Sequence, residues 1–122
     1  MPGVAKQTNP DFLNGVPELV VLQLLSRRPM YGYELLRAIE RTSGDVLEFG
    51  EGCIYPILHR LEKDGHLGSS REIVGGRSRV VYRILPSGRK RLRGRVAAWQ
   101  NVAAAINLVL TRSEDGKPSV AG

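Results

Sequence analysis

The fold of this chain is decided by the stretch GCIYPILHRLEKDG, which spans residues 52–65. Its apolar residues recur at helical spacing and form one stripe: Ile54, Ile57, Leu58 and Leu61. At about 100° per residue, the opposite face carries small and hydrogen-bond-donating residues: Gly52, Pro56, His59 and Lys63, with Tyr55 and Arg60 on its flanks. A first-turn proline is tolerated, and Gly65 marks the end. The pattern predicts a short helix with a buried face and a donor-rich outer face.

Two helices are predicted before this stretch. Residues 1–14 are polar and contain Asn9-Pro10, which indicates a flexible N-terminal arm. Residues 15–18 offer the proline and the acidic residue that a helix N-terminus favours, and an almost wholly apolar helix follows as far as residues 26–28. A helix that is apolar all round must be covered by neighbours. A second helix is predicted over about residues 31–41, with these residues inward: Leu35, Leu36, Ala38 and Ile39.

A hairpin and a long helix are predicted after it. Residues 66–74 and 79–85 have strand character, and Gly75-Gly76-Arg77-Ser78 is typical of a turn. The final helix is predicted over residues 86–111, and the polar residues 112–122 are predicted to be disordered. The helix carries an a/d heptad seam: Leu92, Val96, Trp99, Ala103, Ile106 and Leu110. In water this stripe would promote aggregation, so we expect it to pack on a second copy.

Together these elements predict a mainly α, α+β fold. Three helices and a hairpin are typical of a winged helix-turn-helix, here residues 15–85, and residues 86–111 would be its dimerisation helix.

Charge is divided unevenly along the chain. Residues 1–66 hold 7 basic and 9 acidic side chains (net −2), whereas residues 67–122 hold 11 and 3 (net +8). A localised positive field favours a polyanionic partner such as nucleic acid or an anionic membrane. The sequence has no apolar run of membrane-spanning length and no signal-peptide core, so we expect a cytoplasmic protein without a membrane partner. The single cysteine excludes an internal disulfide and is compatible with a reducing compartment.

Four stretches together resemble the PadR family of bacterial transcriptional regulators: residues 29–35, 51–62, 76–79 and 82–89. The resemblance covers roughly residues 17–110, and the single terminal helix is similar to the short subfamily. It implies a winged helix-turn-helix regulator, expected to be a repressor, that binds an inverted repeat in double-stranded DNA as a homodimer joined through the terminal helices. It also implies release by a small effector or a stress signal.

The resemblance carries the DNA-contacting helix onto residues 52–64 and the wing onto residues 75–79. With the outer-face donors, the predicted DNA-binding residues are Gly52, Tyr55, Pro56, His59, Arg60, Lys63, Arg77, Ser78 and Arg79. In some PadR-like proteins, tryptophans of the terminal helices form a drug-binding cavity between subunits. Trp99 is therefore the candidate for contacting a small aromatic or drug-like effector, although an aromatic residue within a seam is more often simply part of the core.

Other classes of function have weaker support. Cys53 stands where the family usually has Thr or Ser, and near a helix N-terminus it could serve as a redox sensor; the simpler interpretation is a small residue at a packed helix start. An acidic or neutral outer helix face would favour a winged-helix module for protein assembly, whereas the outer face of this helix is mixed to basic. Cys53, His59 and His66 lack zinc-ligand spacing, so no metal site is expected. The sequence offers no nucleophile–base pair or phosphate-cradling loop, so we expect neither an enzyme nor a cofactor.

Overall fold

The computed structural model describes residues 10–115, with the side chains of residues 15–115. Within that range the chain forms α1 (Pro10–Arg27), β1 (Met30–Tyr31), α2 (Gly32–Thr42), α3 (Glu51–Lys63), β2 (Leu67–Val74), β3 (Arg77–Ile84) and α4 (Pro86–Thr111). The strands make one antiparallel sheet in the order β1-β3-β2. This α+β arrangement of helices and hairpin confirms the predicted fold class. No helix among the described residues has the length and apolar character to cross a membrane.

The first helix lies at the centre of the domain. It packs against α2, α3, β3 and α4, as expected for a helix that is apolar on nearly every face. Val21, Leu22 and Leu25 are almost fully buried. The helix begins at Pro10 and holds Pro17 within it, so it is longer than the predicted start near residue 15. The expected N-terminal arm therefore overlaps a helix at residues 10–14, and residues 1–9 of that arm lie outside the described residues.

The second and third helices bury the stripes that their spacing predicted. In α2 the inward side includes Leu35, Leu36, Ala38 and Ile39. In α3 the buried residues are Ile54, Ile57, Leu58 and Leu61. Burying a side chain of this type contributes about 1.5–3 kcal/mol. The packing of the α3 stripe on α1 therefore determines which face of α3 remains outside.

The hairpin after α3 is longer at its tip than predicted. Val74 pairs with Arg77, so only Gly75 and Gly76 form the turn. Their φ angles are +60° and +79°, as a type I′ turn requires at both central positions. Glycine meets this requirement at little steric cost. Because the turn is this tight, Arg77 and Ser78 belong to the strand instead of the loop.

The structure adds two features that the sequence did not predict. Met30 and Tyr31 form β1 by pairing with Tyr82 and Val81 of β3; two residues are too few to carry an alternation signal. In α4, Leu92 is buried in the core of its own domain and Val96 packs against that core. The predicted seam therefore needs correction at Leu92, which is already covered within its own chain and is not available to a second copy.

The start of α4 fits tightly against the turn between α3 and β2, which gives a test with a matched control. A Cβ on Gly88 would lie 2.2 Å from the backbone carbonyl oxygen of His66, whereas a Cβ on Gly94 would meet nothing within 4 Å. We expect Gly88→Ala to lower the free energy of unfolding by about 1–3 kcal/mol, because backbone must move. Gly94→Ala in the same helix should raise it by about 0.5–1 kcal/mol. Urea unfolding of both variants measures the difference, and equal effects would contradict the packing described.

Candidate nucleic-acid interface

The outer face of α3 is open along its length. Its exposed residues include Gly52, Cys53, Pro56, His59 and Lys63. The exposure of Cys53 corrects the interpretation of that residue as a small side chain packed at the helix start. At the N-terminal end of this face the surface is formed by small residues and backbone, and towards the C-terminal end by donors. Such a surface can approach a nucleic acid closely and offer it hydrogen bonds.

Tyr55 is half-buried, and its ring fills the space beside the first residue of α2. A Cβ on Gly32 would lie 2.2 Å from the Tyr55 hydroxyl oxygen, so the absence of a side chain at Gly32 lets the two helices meet. Burial raises the pKa of the Tyr55 hydroxyl, the Glu51 charge raises it further, and Arg79 acts in the opposite direction. The phenol therefore stays protonated and can donate a hydrogen bond. Its ring centroid lies 6.3 Å from that of His59.

The wing presents two kinds of arginine. Arg77 and Ser78 beside the turn are exposed. Arg79 is half-buried, and its guanidinium carbon lies 4.5 Å from the centroid of the Tyr31 ring. Within the part of the chain that the structure describes, Arg79 Nε is buried without a hydrogen-bond partner. Arg79 thus joins the wing to β1 through a cation–π contact, whereas the sequence predicted a free side chain at the hairpin tip.

The position of Glu18 in the structure differs from the one that the sequence predicted. The sequence predicts an acidic residue at a helix start, whereas Glu18 lies within α1 with 2% of its surface exposed. Its carboxylate accepts hydrogen bonds from Arg91 Nε at 2.5 Å and from Arg95 Nε at 3.1 Å. Burial acts to raise the pKa of Glu18, but the hydrogen bond from Arg91 and the charges of Arg95 and Arg91 outweigh it and lower the pKa overall. The group is therefore a buried carboxylate anion.

The same carboxylate reaches the third helix. Arg60 Nη2 lies 3.5 Å from Glu18 Oε1, and the Arg60 side chain is 53% exposed. Arg91 and Arg95, at the start of α4, both pair with this acid of their own chain. One sequence signal pointed to this cluster: Glu18 is the single acid in the apolar run of residues 16–22. A buried acid in such a run needs a cationic partner.

The remaining seam residues of α4 lie at or near the surface. Trp99 is 42% exposed, Ile106 48% and Leu110 71%, while Ala103 is half-buried. Beside the proximal half of the helix is an apolar groove of about 380 Å³, lined by residues of α1, α2, the following loop and α4 that include Leu19, Val20, Leu24, Leu47 and Val96. The groove and the distal half of α4 both expose apolar side chains. A surface of this kind usually marks an interaction site.

Comparison with known proteins agrees with this geometry. A family model described as the transcriptional regulator PadR-like family matches residues 21–94. The chain belongs to the PadR-like family of transcriptional regulators. A transcriptional regulator of Mycobacterium tuberculosis is 33% identical over 96 residues, which cover 79% of this chain and 87% of that protein. The family and this relative are regulators of transcription.

Solved structures of transcriptional regulators have the same fold. A PadR-like transcriptional regulator from Bacillus cereus superposes with a TM-score of 0.71 at 28% identity, over 84% of this chain and 99% of that one. A transcriptional regulator from Clostridium thermocellum superposes with a TM-score of 0.70 at 28% identity, over 80% and 94% of the two chains. The resemblance inferred from the four sequence stretches is confirmed at the level of the family. The roles of individual residues remain predictions.

Proposed function

We propose that this member of the PadR-like family is a transcriptional repressor that binds an inverted repeat in double-stranded DNA as a homodimer. The observation that carries the proposal is the pairing of two exposed features on one domain. The apolar stripe of α3 is buried while its donor-bearing face is open, and an arginine-bearing hairpin tip follows it in the chain. A recognition helix in the major groove with a wing on flanking DNA uses these two features.

The side chains divide into those that reach DNA and those that support them. We assign His59 and Lys63 to base edges or phosphates, and the backbone at Gly52 and Pro56 to close approach. Arg77 and Ser78 contact flanking phosphates or the minor groove, and the half-buried Tyr55 donates its hydroxyl to a phosphate. Arg79 and Arg60 have a supporting role in this assignment, because the guanidinium of Arg79 is stacked on Tyr31 and that of Arg60 faces Glu18.

Dimerisation is supported by the exposed apolar half of α4. Its 26 residues span roughly 39 Å at about 1.5 Å per residue. The half beyond Val96 carries exposed seam residues, and association with a second copy would remove them from water. A twofold axis through this contact would place two recognition helices in successive major grooves, about 34 Å apart.

A small aromatic effector bound at the dimer seam is a second proposal. It is supported by the position of Trp99 on the seam, where 42% of its surface is exposed. An aromatic ring at an interface between apolar helices can stack on a flat ligand. Binding there would alter the separation of the recognition helices and so release DNA.

The DNA-binding proposal is tested by selecting bound duplexes from a random pool with the full chain. We expect an inverted repeat whose half-sites lie about 10 base pairs apart, with an observed binding constant that falls steeply as salt rises. Arg77→Ala should weaken binding to all sequences by a similar factor and reduce the salt slope by about one, because a phosphate contact is lost. Arg112→Ala, at an exposed position beyond the end of α4, is the matched control. Recovery of no preferred sequence would count against the proposal.

The dimer proposal is tested at Ile106. Ile106→Glu places a charge on the exposed seam and should weaken self-association on the order of 100-fold, because a buried carboxylate without a partner is costly. Ala104→Glu lies off the seam on the same helix and should leave association nearly unchanged. Sedimentation velocity measures both, with circular dichroism as the control for folding. A wild-type chain that is monomeric at micromolar concentration would refute the dimer.

The effector proposal is tested by fluorescence, since Trp99 is the single tryptophan of the chain. Flat aromatic compounds should quench its emission saturably and weaken operator binding in the same concentration range. The Ile106→Glu variant should lose the saturable quenching, because the site needs both copies. A broad panel of compounds without any quenching would leave the seam as a purely structural contact.

A further inference from the structure

The buried acid of α1 lies outside the proposed DNA interface but touches both helices that the proposal depends on. Helix α1 packs against α3 on one side and α4 on another. Glu18 lies on α1 where it contacts Arg60 of α3 as well as Arg91 and Arg95 of α4. One group is therefore shared by the recognition helix and the dimerisation helix.

The two oxygens of the Glu18 carboxylate make different sets of contacts. Oε2 accepts hydrogen bonds from Arg91 Nε at 2.5 Å and Arg95 Nε at 3.1 Å, so it is held wholly by α4. Oε1 lies 3.3 Å from Arg91 Nη2 and 3.5 Å from Arg60 Nη2, so it faces both helices. The orientation of the carboxylate is set mainly by α4, because its shorter contacts are made there. The position available to the Arg60 guanidinium follows from that orientation.

The buried Glu18 carboxylate and the three arginines around it stabilise one another. A carboxylate with 2% exposure cannot be compensated by water, and its charge must be balanced by the arginines. In turn, three guanidinium groups around one point repel one another unless an anion lies between them. Removing the negative charge would therefore release Arg60 from α1 and loosen the proximal half of α4 at the same time.

We propose that Glu18 is a positioning residue for DNA recognition, which sets the seating of α3 on the duplex through Arg60 and links it to the placement of α4 through Arg91 and Arg95. This inference rests on the proposed DNA-binding function. Arg60 is then a support of the recognition helix and not a phosphate contact. Lys63, three residues further along the same helix, is exposed and has no ion pair among the described residues. It therefore serves as the comparison for Arg60 when the salt dependence of binding is measured.

The experiment is a double-mutant cycle read by operator affinity, with Glu18→Gln, Arg60→Ala and the double variant. Each single change should weaken operator binding roughly fivefold, and the double variant should be no weaker than the worse single one, because both remove the same link. The dissociation constant of the dimer should change less than twofold. Arg60→Ala should leave the salt slope unchanged, whereas Lys63→Ala should reduce it by about one.

Glu72→Gln is the matched control for the loss of a carboxylate paired with arginine. Glu72 pairs with Arg83 at 2.5 Å between the two strands of the hairpin, where the side chains are 43% and 42% exposed, and neither residue belongs to α3 or α4. This variant should leave operator affinity and the effect of Arg60→Ala unchanged. All affinities are measured well below the unfolding temperature of each variant, so that a loss of stability alone does not register as a loss of binding.

Three results would overturn the inference. Additive effects of Glu18→Gln and Arg60→Ala would show that no link exists between them. A Glu18→Gln variant with a lowered unfolding temperature but unchanged affinity would leave Glu18 with a structural role only. If Arg60→Ala reduces the salt slope as much as Lys63→Ala does, Arg60 is a phosphate contact and the inference is wrong. This measurement does not use Glu18→Gln, so it tests the inference even if that variant does not fold. If the wild-type chain selects no DNA, the proposed function fails first, which distinguishes the two failures.

Discussion

The structure depends on the enclosure of one helix. Helix α1 is apolar on nearly all sides, and in water such a surface must be covered in every direction. Three other helices and a strand supply that cover. Each of them contributes its own apolar stripe, so the polar face of every surrounding element is left outside. The open face of α3 is a consequence of this constraint, because Ile54, Leu58 and Leu61 are committed to the core.

Enclosure also explains why several charged side chains do not serve the roles suggested by their position in the sequence. Glu18 lies on the enclosed helix, and a buried carboxylate needs cationic side chains as partners. Its partners Arg91 and Arg95 belong to a run of basic residues near the start of α4 that would otherwise be a solvated face. Arg79 is held in a comparable way by the face of Tyr31. The charge available to a nucleic acid is therefore smaller than the net charge of the second half of the chain suggests.

The two parts of the long terminal helix have different surroundings. Its first part belongs to the domain core through Leu92 and Val96, and its second part projects beyond the domain with apolar residues exposed. A helix with one end packed in the domain and the other on a second copy would transmit the relative placement of two domains rigidly. This division suits a regulator in which the spacing of two DNA-binding surfaces determines affinity.

The sequence by itself determined the class of fold, the buried stripes of α2 and α3, the extent of α4 and the family. These features follow from local periodicity and from motifs that lie close together in the chain. Only the tertiary structure decided the pairing of Met30 and Tyr31 with β3, the commitment of Leu92 to the core, and the stacking of Arg79. It also decided the meeting of Glu18 with arginines 42, 73 and 77 residues away in the chain. Contacts of this kind depend on which faces of separate elements are brought together, and periodicity within one element carries no information about the element opposite.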